Sequence, residues 1–160
     1  MSDHTASSIE RRVVTTTVQA TVEECYAVGV DVQNYPNWIE SLAEVEVEST
    51  DADGNPRRVR FEAAGLGRRA SYVLAYILAD APNTLGWTLV TGDLARAIEG
   101  EYRFSDSTEY GGDPTTTVEY ELSIDLAVPL PGYVKRRAED KIIEAALRRF
   151  KQEVERVASS

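Results

Sequence analysis

A chain of 160 residues, 42% hydrophobic and 28% charged, has the length and composition of one ordinary globular domain, from about Arg11 to Ala158. Its net charge of −10 repels phosphate backbones, so a nucleic-acid partner is not expected, and no apolar run approaches the ~18 residues that a membrane span needs. Met1–Glu10 is polar and reads as a disordered tail rather than a secretory signal, while the single Cys25 excludes an internal disulfide and fits a reducing cytoplasm.

Arg12–Ala20 is rich in valine and threonine and predicts a strand. Thr21-Val-Glu-Glu24 has the spacing of a capping box and predicts a short helix through Val28, with Cys25 packed as a small hydrophobe. In Asp31-Val-Gln-Asn-Tyr-Pro-Asn-Trp38, Pro36 at a first helical position predicts a second short helix with Trp38 on its inner side. Two short helices make no core alone, so they are expected to close one end of something larger.

From Glu44 to Val128 strand follows strand. Glu44–Thr50 alternates, with Val45 and Val47 on one face. Asp53-Gly54 is a hairpin signal, and Arg57–Ala63 then turns Val59 and Phe61 inward. Gly65 and Gly67 mark a tight turn. Tyr72–Leu78 is apolar in both phases, which leaves its inner face open. After Pro82-Asn83, the side chains of Leu85, Trp87 and Leu89 share a phase. Gly92-Asp93 turns again, and Ile98, Tyr102 and Phe104 follow on one face. Val118, Tyr120, Leu122, Ile124 and Leu126 share the inner face of the last strand. With the first strand these make a seven-stranded antiparallel sheet with one wet and one dry face.

Pro129 and Pro131 end the strand run, and Pro131 to about Val157 reads as one long helix. Val134, Ala138, Ile142, Ala145, Ala146, Phe150, Val154 and Val157 recur at steps of three and four, with Ile143 and Leu147 beside the main row. About 25 residues make a rod of roughly 38 Å, long enough to cross a small domain. One helix cannot fill the hollow of a strongly curved seven-stranded sheet, so either bulky side chains fill it or a cavity remains. Each inward aromatic is, taken singly, an ordinary core residue. Together they outline a cavity between sheet and helix.

The candidate lining residues are Trp38, Phe61, Trp87, Leu89 and Ile98, with Ile142 and Ala145 on the helix. Tyr72, Tyr76, Tyr102 and Tyr120 would add phenol tips in an apolar pocket, suited to a keto or quinone oxygen. Arg96 shares the phase of Ile98; buried, it would clamp a carboxylate or enolate, and otherwise it is an exposed residue at a strand start. Other chemistry is hard to build. His4 is the only histidine and lies in the tail, so histidine triads and histidine metal sites are excluded, and no cofactor is expected. Cys25 has no partner for nucleophilic work. Acids fall almost entirely on wet faces. Basic residues cluster near one hairpin (Arg57, Arg58, Arg60, Arg68, Arg69) and along the long helix, where interleaved acids and pairs such as Glu144–Arg148 indicate a solvated face.

The order strand, two short helices, six strands, long helix resembles the helix-grip fold of the START-like (SRPBCC) superfamily, an α+β class. Asp31–Trp38 looks like that family's "D…YP.W" segment. Gly92–Phe104 is similar to the "GPF..LEG.W.F" strand of its coenzyme-Q-binding and cyclase/dehydrase branches, with Asp93, Ala95 and Tyr102 as departures. Val128-Pro-Leu-Pro131 and the helix beyond resemble actinobacterial-type members. The resemblance implies binding of a sterol, lipid, quinone, polyketide or plant hormone, and only some members are enzymes. The expectation is therefore a cytoplasmic, non-catalytic binding or carrier protein for a hydrophobic small molecule, monomeric or homodimeric, without membrane insertion. The alternative is a cyclase or dehydratase using cavity tyrosine and arginine. A ribosome- or protein-interaction module, as in a related ribosome-association toxin, is a minor competitor.

Overall fold

Strand alternation becomes one curved antiparallel sheet. The computed structural model describes residues 11–65 and 68–160, so the Met1–Glu10 tail and the Gly67 end of the expected turn lie outside the described residues. The strands are β1 (Arg12–Val18), β2 (Leu42–Thr50), β3 (Pro56–Gly65), β4 (Arg68–Ile77), β5 (Thr84–Gly92), β6 (Ala95–Asp106) and β7 (Thr116–Leu126). Their order across the sheet is β1-β7-β6-β5-β4-β3-β2. β2 to β7 thus form a meander, and β1 joins its far edge beside β7. Consecutive strands β1 and β2 lie at opposite edges, so the segment between them must cross one end of the sheet.

That segment carries the two short helices. In α1 (Val22–Val30) the expected capping box is present: Thr21 Oγ1 accepts from Glu24 N at 3.1 Å, and Glu24 Oε1 accepts from Thr21 N at 2.8 Å. β1 stops at Val18 rather than Ala20, where the Ala20 carbonyl accepts from the Thr116 hydroxyl at 2.8 Å instead of a ladder partner. The second helix corrects the expectation for Pro36. It is a 3-10 helix over Val32–Asn37, starting after Asp31, with Pro36 inside it. So short a 3-10 turn tolerates one missing N–H, and Trp38 and Ile39 re-anchor the chain by donating to Tyr35 O at 3.1 and 2.8 Å.

Register resolves the strand that periodicity left open. β3 pairs Val59 with Leu74 and Phe61 with Tyr72, so the inner row of β3 draws Tyr72, Leu74 and Tyr76 inward. Ile77 takes the outer face and is 57% exposed. On β6 the inner row includes Gly100, cross-strand partner of Trp87. A Cβ at Gly100 would stand 2.3 Å from Trp87 Cζ2, so the indole lies flat across the strand only because this residue has no side chain. Gly54, at φ +85°, takes the left-handed position of the expected Asp53-Gly54 turn.

The last helix, α2 (Gly132–Ala158), has 27 residues and spans about 40 Å. Its buried row is Ile143, Leu147, Phe150 and Val154, while Ile142 and Val157, expected in the main row, are exposed. The helix is rotated toward the row read as secondary. Two buried acids, Glu139 and Glu153, flank that row and are exceptions to the expectation that acids fall almost entirely on wet faces. Each is partnered. Glu139 Oε2 accepts from Leu126 N at 3.2 Å and Glu139 Oε1 lies 3.6 Å from Arg12, while Glu153 takes two hydrogen bonds from Arg156. Lys135 also pairs with Asp125, so β1 and β7 together hold the first half of α2. Among the described residues no ion pair joins Glu144 to Arg148, contrary to expectation.

Candidate ligand cavity

α2 lies closest to β1, β7 and α1, and α1 packs on β5 and β6, so the inner side of β3 and β4 is the part of the sheet least covered by helix. The space there is a cavity of about 450 Å³. That falls within the roughly 300–1,000 Å³ of small-molecule sites. Aromatic rings line much of it. Trp87, Tyr102 and Tyr120 meet with centroids 4.8–5.9 Å apart, and Phe61 stacks on Tyr72 at 5.4 Å and on Tyr35 at 6.1 Å. Trp38 closes one side from the end of the 3-10 helix, and Ile142, Ala145 and Ala146 face it from α2. The alanines matter by their size, because a larger side chain there would occupy the space.

The structure brings together all the sequence-predicted lining residues except Leu89 and Arg96. Leu89 packs into the core cluster instead, with its Cδ1 3.4 Å from the Cβ position of Gly92. Arg96 is a correction with a clear cause. The β6–β7 register shifts between Ala95 and Ala97, so Arg96 is the bulged residue and leaves the phase of Ile98. Its side chain is 65% exposed and sits 3.8 Å from Asp125. Ile142 lines the cavity from an exposed position at its mouth.

Sequence reasoning missed Tyr35, Leu74, Lys141 and Arg149 as lining residues. Tyr35 was within reach: in a 3-10 helix residues three apart eclipse, which sets Tyr35 beneath Trp38 at a ring distance of 5.3 Å. Lys141 and Arg149 lie four residues to either side of Ala145 on one ridge of the helix, so naming Ala145 implied them. Nothing in the sequence marked Leu74, because its strand is apolar in both phases.

The polar groups inside are mainly phenols, with Ser41 also on the lining. Tyr35 donates to the Gly29 carbonyl, and Tyr76 interacts with the Tyr35 hydroxyl. Among the described residues, the hydroxyls of Tyr72, Tyr102 and Tyr120 have no hydrogen-bond partner, yet no fully buried polar side-chain atom is left unpaired. These hydroxyls therefore open onto the cavity. Among the described residues, no aspartate, glutamate or histidine lines it.

Burial raises every one of these phenols above its ordinary value: Tyr72 is pushed up to about 12, Tyr76, Tyr102 and Tyr120 shift upward with neighbouring phenols adding to the effect, and Tyr35 shifts upward although its hydrogen bond with Tyr76 opposes the change. They are neutral donors at any physiological pH. Because the folded values lie above the unfolded value of about 10, this contribution to stability is complete below pH ~10 and is lost as pH rises through the folded values. Absorbance at 295 nm in the folded protein at pH 10–11 is thus expected to lack a tyrosinate contribution from Tyr35, Tyr72, Tyr76, Tyr102 and Tyr120, which appears only with unfolding. A folded-state contribution from them would place the cavity phenols in water.

An antiparallel sheet curled over a C-terminal helix, with an apolar cavity between them, defines the α+β helix-grip class of the START-like fold. The chain belongs to the family described as polyketide cyclase/dehydrase and lipid transport, whose profile matches residues 11–155. Its structure is similar to that of a START superfamily protein from Mycobacterium smegmatis, at 19% identity and TM-score 0.79, covering 92% of this chain and 98% of that one. It is similar also to the Zhui aromatase/cyclase from Streptomyces sp. R1128, at 17% identity and TM-score 0.75, covering 92% and 94%. Ginseng major latex-like protein 151 from Panax ginseng shares 9% identity at TM-score 0.65, covering 93% and 97%. At such identities the likeness establishes the fold alone. No curated protein matches the chain by sequence. Among the described residues, no helix is long and apolar enough to cross a membrane.

Proposed function

We propose that this protein binds and carries a hydrophobic small molecule with oxygen acceptors, quinone- or polyketide-like, in the cavity between sheet and α2. The observation that carries this reading is the apolar, ring-lined space of about 450 Å³ into which Tyr72, Tyr102 and Tyr120 open without partners among the described residues. Apolar walls supply affinity through burial, and neutral phenol donors fix the orientation of a carbonyl.

A cyclisation catalyst is the second reading, favoured by the same phenols, which are suited to stabilise a developing enolate. Two features weigh against it. Arg96, the expected cationic anchor, is outside, and among the described residues no carboxylate or imidazole lines the cavity to take a proton.

Both tryptophans of the chain, Trp38 and Trp87, line the cavity, so occupancy is expected to change intrinsic fluorescence. Native mass spectrometry of protein purified from its own host, followed by denaturing extraction, is expected to yield a stoichiometric small molecule. Protein free of any such molecule, with unchanged tryptophan emission and thermal stability across quinones, lipids and aromatic polyketides, would overturn the proposal. Conversion of the extracted molecule on incubation would favour the catalyst.

A further inference from the structure

We propose that the ligand is an amphipathic anion, its carboxylate or phosphate held by Lys141 and Arg149 at the mouth while its apolar body enters the cavity. This rests on the binding reading above and names the class of ligand. Lys141 and Arg149 line the cavity from one ridge of α2, two turns apart, about 12 Å along the axis, with Ala145 between them. Both side chains, Lys141 exposed and Arg149 half-buried, are long enough to reach a group seated above Ala145.

What distinguishes this pair is its place at the cavity: among the described residues Arg57, Arg58, Arg137, Arg148 and Lys151 also lack an ion-pair partner, but only Lys141 and Arg149 of these unpaired cations line the cavity. The chain carries −10 net charge, and Arg12, Arg60, Arg69, Arg103, Lys135 and Arg156 are each tied to carboxylates. Among the described residues, neither Lys141 nor Arg149 has an ion-pair partner, and no carboxylate lines the cavity beside them. Two cations, uncompensated at the rim of an apolar cavity with neutral donors inside, present a charge gradient from mouth to interior. An apolar molecule with one anionic end matches it. A neutral molecule leaves both cations unused.

The test uses a matched set of probes: 4-(1-pyrenyl)butyrate, the corresponding butyl phosphate and the corresponding butanol, titrated by quenching of tryptophan emission. At low salt both anions are expected to bind about tenfold more tightly than the alcohol. That preference is expected to vanish in Lys141→Gln/Arg149→Gln and to shrink at 0.5 M NaCl, with alcohol affinity unchanged. The control Arg137→Gln/Arg148→Gln removes the same charge from α2 at positions that do not line the cavity, and it is expected to keep the preference. A preference for carboxylate over phosphate, or the reverse, identifies a free acid or a phosphate-bearing ligand. Equal binding of anions and alcohol would overturn the head-group assignment and leave the cavity reading intact. Equal loss of preference in the control would overturn it too, by making the effect one of overall charge. Failure of all three probes to bind would remove the cavity reading and this inference with it.

Discussion

Replacing Phe150 with alanine is expected to destabilise the protein by about 3–5 kcal/mol, the largest loss of any single truncation considered. Phe150 is fully buried where four elements meet. Its ring stacks on Tyr102 of β6 at 4.5 Å and lies 6.0 Å from Phe104 and 6.4 Å from Trp38. A Cβ at Gly29 of α1 would stand 3.7 Å from its Cε1. Truncation thus removes the side chain that ties α2 to the sheet, to α1 and to the end of the 3-10 helix. The relaxed void would border the cavity, since Tyr102 loses its stacking partner. In a chain of this size the loss corresponds to roughly 6–20 °C in melting temperature, read in parallel with the urea midpoint. Phe150→Leu keeps most of the volume and is expected to lose less than half as much. A loss below about 1 kcal/mol for the alanine variant would mean that α2 is anchored elsewhere.

The double variant Tyr102→Phe/Tyr120→Phe is expected to change binding without changing folding. Neither hydroxyl has a protein partner among the described residues, so removing both breaks no internal hydrogen bond, and stability should hold or rise slightly. The rings remain, and with them the contacts of 4.8 Å between the two tyrosines and 5.5 Å from Trp87 to Tyr102. A ligand carbonyl would lose both donors. At about 1 kcal/mol for each neutral hydrogen bond, affinity should fall roughly tenfold to a hundredfold. Calorimetry with menadione and with 2-methylnaphthalene, alike in shape but not in oxygen, separates the effects. The quinone alone should weaken. Equal weakening of the hydrocarbon would show that the substitutions deform the cavity, and a stability loss above 1 kcal/mol would show that the hydroxyls serve the fold.

Much of the architecture was legible because it depends on short-range chemistry. The Thr21/Glu24 reciprocal cap, the alternation of Val59 and Phe61, and the unbroken helix after Gly132 each involve residues a few positions apart. The same local rules gathered most of the cavity: once the inner phases of β3, β5, β6 and β7 were read, Phe61, Trp87, Tyr102 and Tyr120 had to face one another across the sheet. Errors arose where a local pattern depended on a distant one. A single bulge between Ala95 and Ala97 turned Arg96 from candidate anchor to surface residue, because the side-chain period of a strand is two and one extra residue reverses it.

By itself, then, the sequence determined the element order, the α+β class with its wet and dry faces, and a ring-rich inner surface under a helix that carries alanines. Those follow from periodicity, caps and breakers, which act along the chain. Only the tertiary structure decided which side of β4 faces inward, through its register with β3, and how α2 is rotated. Buried Glu139, held by Leu126 N and Arg12, belongs to the contacts that set Ile143 and Leu147 inward and leave Ile142 at the mouth. It alone decided also that the inner space stays open beneath α2 and that Lys141 and Arg149 stand at its rim. The physical reason is the same in each case: helix rotation, register and residual volume depend on partners far apart in the chain, whose distances no local pattern encodes.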